Sequence, residues 1–302
     1  MPAETLKAEP GRLDSVVAKL TGASRAEVQR AIDDGLVRVD GQRRSRSFRL
    51  RGGERIESEL PAEPAIPAEG PPVPVRFRDD DLAVIAKPAG LPTHPTARRR
   101  TGTLVNRLRG MGLPLSAAGG SLRPGIVHRL DVGTSGLMVV ALSNEAHRAL
   151  SAMFRHHEVD RGYLALVRGG VTNDSFDVEA PLGRRGARVT VSAGEGRHAE
   201  TAFEVRERYE GATLLEARPR TGRTHQIRVH LSAVEHPILG DRSYGGGGDT
   251  ARRLGLTRPF LHSWRLAFDH PLTGVRIRLE EPLPEDLDAA LRRAAGEEPP
   301  GS

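Results

Sequence analysis

Residues 123–142 read RPGIVHRLDVGTSGLMVVAL. Two apolar runs, Ile126-Val127 and Leu137 to Leu142, flank a polar loop that carries glycines, a pattern that predicts strand, loop, strand. The loop holds His128, Arg129, Asp131, Thr134 and Ser135. Apolar anchors on both sides would hold Asp131 in place. A fixed carboxylate beside an arginine fits an active site. It equally fits an ion pair at a strand end, which is the commoner arrangement and perturbs acidity in the same way.

Working outward, other segments add to the pattern. Leu82 to Ala86 is an apolar run closed by Lys87-Pro88-Ala89-Gly90, where proline and glycine force a turn and leave Lys87 at a strand end. Lysine there either contacts phosphate or snorkels to solvent. Ser143 is placed to cap a helix in which Ala146, Leu150, Met153 and Phe154 form an apolar stripe. Arg161 to Val167 alternates as a strand, with Tyr163 and Ala165 on one face. Further on, Thr221 to Leu231 reads TGRTHQIRVHL, with Thr224 as an expected N-cap. Arg223 then precedes a helix start, where a cation is disfavoured unless an anion is near, so a carboxylate or phosphate partner is expected.

These motifs, taken together, resemble one family. Val127-His128-Arg129-Leu130-Asp131-Val132-Gly133-Thr134-Ser135-Gly136-Leu137 is similar to the signature of the RNA pseudouridine synthases of the RluA/RluD group. The segments around Lys87 and His94, around Tyr163, around Arg223 and around Pro237 follow in the family's order. Arg161 stands for the family's usual lysine, and Glu235 for its usual glycine. The resemblance implies that Asp131 is the catalytic aspartate and that Arg223 is its ion partner. It implies that Arg129 fills the space of an extruded uridine and that Tyr163 lies against the base. It also places Lys87 and His94 near the cleft mouth.

The first sixty residues form a separate unit. Arg12 to Leu20 predicts a short helix. Ser24 to Glu27 is a capping-box pattern for a second one, which Gly35 stops. Leu36 to Val39 reads as a strand, with others near Phe48 to Leu50 and at Arg55-Ile56. Arginines at 25, 30, 38, 43, 44, 46, 49, 51 and 55 cluster here, as a phosphate-tracking surface or a solvated face would require. The order of residues resembles the small alpha-L RNA-binding domain shared by a ribosomal small-subunit protein and several RNA-modifying enzymes. Arg25, Arg30, Arg38, Arg43, Arg44 and Lys87 are the expected RNA contacts. Pro61 to Pro74 holds six prolines in fourteen residues and predicts a stiff extended linker. The expected organisation is a flexible tail (1–11), RNA-binding domain (12–60), linker (61–74), catalytic domain (75–294) and tail (295–302).

Composition bounds the class. The 302 residues carry 45 Lys+Arg against 39 Asp+Glu, a net charge of +6, which favours a polyanionic partner. With no cysteine, disulfides and Cys-ligated zinc are excluded, in keeping with a cytoplasmic protein. No apolar run approaches the roughly 18 residues of a membrane span. No metal cluster, dinucleotide fingerprint or phosphate loop is found, so neither metal nor cofactor is expected. The expected fold is α+β: a mixed, mainly antiparallel sheet with a central cleft, plus a small N-terminal α/β domain. The expected activity is isomerisation of uridine to pseudouridine in large-subunit (23S-type) ribosomal RNA, by a monomer. Three alternatives stand: the same chemistry on transfer RNA, a catalytically silent RNA-binding or ribosome-assembly factor, and a glycosidase with a second carboxylate. Attack on the base ring and attack on the sugar both fit a single carboxylate.

Overall fold

The computed structural model describes residues 4–21, 23, 25–59, 66–96, 99–186 and 188–297. The N-terminal unit contains β1 (Glu4–Lys7), β2 (Gly11–Arg12), α1 (Leu13–Thr21), α2 (Arg25–Asp33), β3 (Val37–Val39), β4 (Arg49–Leu50) and β5 (Arg55–Ser58). Its three-stranded sheet has the order β1-β5-β3, all antiparallel, and β2 pairs with β4. Leu13, Val17, Val28, Val37 and Ile56 fill its own core. The first residues depart from the expectation of a flexible tail. Glu4–Lys7 pairs in register with Ser58 to Arg55, so backbone bonds to β5 order a segment whose composition is polar. Ser24, the start of the expected capping box, lies outside the described residues.

The expected linker is described from residue 66 onward, and that part is docked. Ile66 and Val73 are buried in the main core, and the Pro67 carbonyl accepts a hydrogen bond from Asn106 Nδ2 at 2.9 Å. Residues 66–74 form no helix or strand, as the prolines dictate.

The large unit contains β6 (Val75–Arg78), β7 (Leu82–Lys87), α3 (Leu104–Gly110), β8 (Ser135–Ala141), α4 (Asn144–His156) and β9 (Asp160–Arg168). It continues with β10 (Ser175–Glu179), β11 (Leu182–Arg185), β12 (Arg188–Val191), β13 (Glu200–Tyr209), β14 (Ala212–Pro219) and α5 (Gln226–Ala233). Then follow α6 (Asp249–Arg253), β15 (Leu261–Asp269), β16 (Arg276–Glu280) and α7 (Glu285–Ala294). One nine-stranded sheet runs β10-β13-β14-β9-β15-β8-β7-β6, with β16 also on β15. Every pairing in it is antiparallel except β8 with β15. The fold is therefore the expected α+β arrangement.

Every residue of β8 is buried. The alternation of a strand sends Met138 and Val140 to one face, into a core with α3, and Leu137, Val139 and Ala141 to the other, against Leu150 and Phe268. This two-sided burial explains the unbroken apolar run in the sequence. Gly136 is required at the start of β8. Its φ is +113°, and a Cβ there would sit 2.2 Å from the Ser263 carbonyl oxygen.

Candidate active site

The loop that carries Asp131 starts from a bridge on β8 and runs into β8 itself. Ile126 bridges to Val140, so the first predicted strand is reduced to one bridge. The chain then loops out and returns as β8. Five contacts pin the loop. Leu130 is buried, and its carbonyl accepts from Thr93 Oγ1 at 2.8 Å. The Val132 carbonyl accepts from Gly90 N at 2.7 Å, and the Gly133 carbonyl from Arg258 Nη1 at 3.1 Å. His128 Nε2 accepts from Val139 N at 3.0 Å, while its ring stacks on Phe154. Burial pushes the His128 pKa down to about 3, with the nearby Arg161 charge assisting, so the ring is neutral and fit to accept.

Asp131, held by this loop, faces a cleft of about 580 Å³. Its ion partner is Arg228, whose Nη1 lies 3.2 Å from Asp131 Oδ2. This corrects the expectation for Arg223. Arg223 lines the same cleft but donates its Nε to the His198 carbonyl at 2.9 Å. The reason is the helix start. His225 takes the left-handed conformation (φ +55°), so α5 begins at Gln226, later than the expected cap at Thr224. The Gln226 side chain accepts from Arg223 N at 2.9 Å and from Thr221 Oγ1 at 2.7 Å. The first six residues of α5 are all buried, which brings Arg228 inside.

A buried guanidinium must be paired. Arg228 Nε and Nη2 grip Asp241 at 2.6 and 2.9 Å, and its plane lies 4.9 Å from the Tyr244 ring centroid. Burial alone would lower the Arg228 pKa, but Asp241 and then Asp131 raise it above its ordinary value. His225 adds a further group. The Tyr244 hydroxyl donates to the Val189 carbonyl, so it accepts from His225 Nδ1 at 2.9 Å. His225 Nε2 is then left facing Asp131 Oδ2 at 3.9 Å. Burial lowers the His225 pKa against the pull of Asp131, with Arg228 reinforcing the drop. None of Arg228, Asp241, His225 and Tyr244 was singled out by the sequence pattern. A readable signal was present: an arginine inside a helix turn flanked by Ile227 and Leu231 needs a buried acid, and Asp241 stands in the next segment, after Pro237.

Tyr163 lies on β9 in the cleft wall and is buried. Burial raises its pKa. Arg129 is exposed on the Asp131 loop and also lines the cleft. Lys87 departs from the expected RNA contact. It is 1% exposed, and its Nζ donates to the carbonyls of Pro88 and Leu91 at 2.8 and 3.0 Å. The apolar strand β7 continues into the core through this residue, and the following turn supplies the acceptors that keep it there. Lys87 thus braces the turn that supports the Asp131 loop. His94 does line the cleft, with Nδ1 buried and without a hydrogen-bond partner among the described residues.

In the N-terminal unit, Arg25 ion-pairs with the buried Asp14, and Arg44 lies over the Phe48 ring. Arg43 packs across Gly35, and Arg30 and Arg38 are exposed. These five arginines sit on the small domain and do not line the catalytic cleft. Among the described residues, no group of three or more His, Asp or Glu has the arrangement of a metal site, and no helix is long and apolar enough to cross a membrane.

One pinned carboxylate, an arginine clamp and a tyrosine in a basic cleft define a site for acid–base or covalent work on an anionic substrate. Residues 81–233 match the family model of RNA pseudouridylate synthase, and residues 11–56 match the S4 domain. An RNA pseudouridine synthase of Mycobacterium bovis is 39% identical over 293 residues, covering 95% of each chain. The ribosomal large subunit pseudouridine synthase D of Xanthomonas campestris is 40% identical over 294 residues, covering 93% of this chain and 88% of the relative. The structure of the human protein RNA pseudouridylate synthase domain containing 4 superposes with a TM-score of 0.58 at 26% identity, over 74% of this chain and 93% of that one. The chain belongs to the RNA pseudouridine synthase family, in its RluA/RluD-type branch with an S4 RNA-binding domain in front. Its activity is that of an isomerase that converts uridine in RNA to pseudouridine.

Proposed function

We propose that this chain modifies uridines of large-subunit ribosomal RNA in the cytoplasm, as a monomer, with Asp131 as the catalytic carboxylate. The reaction breaks the bond from the sugar C1′ to N1 and forms one from C1′ to C5. A proton leaves C5 and N1 gains one, so the change is redox-neutral and one carboxylate suffices. Asp131 acts on the extruded nucleoside as nucleophile or base. Arg228 orients it and offsets its charge. Arg129 occupies the gap that the flipped base leaves, and Tyr163 stacks on the base. Lys87 supports the loop from beneath, and the arginines of the S4 domain hold the RNA outside the cleft.

The observation that carries this reading is the charge of the cleft. Among the described residues, its lining includes seven arginines and a single carboxylate, Asp131. That balance suits a phosphate-bearing polymer and opposes a two-carboxylate glycosidase. The ribosomal target is inferred from relatives named for the ribosomal large subunit.

The test is a transcriptome-wide pseudouridine map in cells with the gene, without it, and with Asp131→Asn. The expected result is loss of the same large-subunit sites in the deletion and in the variant, with the variant protein folded and still bound to RNA. Loss confined to transfer RNA would replace the ribosomal assignment. An asparagine variant that modifies its sites at the normal rate would overturn the role of Asp131.

A further inference from the structure

Arg197 and Arg223 form a pair of cations that the reaction chemistry does not use. Arg197 lies in the connection between β12 and β13, and Arg223 in the connection between β14 and α5. The Arg223 Nε bond to the His198 carbonyl ties the two connections together. The Arg197 charge helps lower the Arg223 pKa, after the larger effect of burial. Both line the catalytic cleft. Neither has a carboxylate within ion-pair distance among the described residues. Three other arginines of these segments are neutralised by carboxylates, Arg228 by Asp131 and Asp241, Arg218 by Glu204 and Glu216, and Arg220 by Glu200, while Arg161 on β9 is held by the Pro219 and Thr221 carbonyls.

Holding two like charges near each other without a counterion is unfavourable unless an anion joins them. Their place in the fold says which anion. Arg123, Arg129 and His94 border the cleft from segments attached to β7 and β8, while Arg197 and Arg223 border it from the β13 and β14 side. A strand whose target nucleotide enters at Asp131 would therefore meet cations on both flanks. We propose that Arg197 and Arg223 together bind one backbone phosphodiester of the substrate RNA, next to the flipped nucleotide, on the β13/β14 side of the cleft. Two guanidiniums present several N–H donors to one phosphate, a geometry that ammonium groups match less well. The inference rests on the RNA-directed reading of the same cleft.

The test uses full-length protein and fluorescein-labelled dodecauridylate, with anisotropy followed from about 50 to 300 mM KCl. Arg197→Gln is the clean variant, because the Arg197 side chain makes no hydrogen bond or ion pair among the described residues and its removal breaks no internal contact. One neutralised phosphate contributes about 0.7 to the slope of log affinity against log salt for a single strand. The R197Q protein is expected to bind roughly 5- to 10-fold more weakly at low salt, with a slope shallower by about that amount. R197K should retain the slope. R197Q/R223Q should lose affinity further with little more change in slope, since both arginines share one phosphate. Arg276→Gln, on the distant β16, is the control and should match the wild type. An R197Q protein with wild-type affinity and slope would overturn the clamp, as would an R276Q protein with the same loss. Pseudouridine formation by the wild type, measured separately on transcribed large-subunit RNA, reports on Asp131 and not on the clamp, so the two readings fail independently.

Discussion

Arg228 touches Asp131 at 3.2 Å with one nitrogen while its other edge grips Asp241 at 2.6 and 2.9 Å. The guanidinium is therefore fixed before it meets the Asp131 carboxylate. Arg228→Gln should lower the single-turnover rate of pseudouridine formation by about 100-fold or more, the scale of a lost preorganised charge. Arg223→Gln leaves this contact intact and should act mainly through weaker RNA binding. Equal losses of single-turnover rate at saturating RNA in the two variants would contradict the assignment of Arg228 as the ion partner.

Asp241 is 1% exposed and reaches the reaction only through Arg228. Asp241→Asn removes one half of a buried pair, which costs roughly 3–5 kcal/mol of stability. The freed guanidinium should also aim less well at Asp131. We expect a lower urea midpoint together with a reduced rate in the protein that remains folded. An asparagine variant that melts earlier but turns over normally would mean that Asp241 is structural only.

The reach of the sequence is clearest at this cluster. That the loop carrying Asp131 would be braced was legible from the apolar runs beside it: the second is the buried strand β8, while the first shrinks to the single bridge at Ile126. The exchange of Arg223 for Arg228 was not legible. It depends on the left-handed turn at His225, which shifts the helix start and decides which arginine points inward. Lys87 was misread for a related reason: a strand end at a proline-glycine turn looks exposed, yet here the turn folds back over it. Glu235, in the family's glycine position, keeps a positive φ of 64°, so the backbone turn is retained despite the side chain. Glu4–Lys7 escaped notice because its order comes from β5, some fifty residues away, and not from its own composition.

The buried ammonium of Lys87 gives a pH test. Burial lowers its pKa to about 7, against the pull of Asp131 and with help from Arg258 and Arg107. An unfolded lysine titrates near 10.4, so between these values the unfolded chain binds more protons and stability rises with pH. Below about pH 7 the cost of the buried charge is constant, and above about 10.4 it vanishes. Lys87→Met should flatten this lysine contribution, which is on the order of a few kcal/mol across the window. Urea midpoints at pH 7 and pH 9.5 supply the measurement. A methionine variant that gains as much as the wild type between them would show that Lys87 is not the source.

Gly136 sits opposite Ser263 in the parallel seam of β8 and β15. An alanine Cβ would lie 2.2 Å from the Ser263 carbonyl oxygen at a φ of +113°. Gly136→Ala must push the strands apart and should cost on the order of 3 kcal/mol. For a unit of this size that is a fall of roughly 10 °C in melting temperature. Thermal unfolding by circular dichroism is the check, and an unchanged melting point would mean that the parallel seam is looser than its geometry implies.

The placement of β15 has a consequence for how the protein is made. This strand lies between β9 and β8 in the middle of the sheet, although most of the chain precedes it. Domains fold in order as they leave the ribosome. The S4 unit can be finished early, while the larger sheet stays open at its centre until Leu261–Asp269 has emerged. During synthesis the polypeptide thus gains a grip on nucleic acid well before it gains a working pocket. Translation halted just upstream of residue 261 would release a binder with no chemistry.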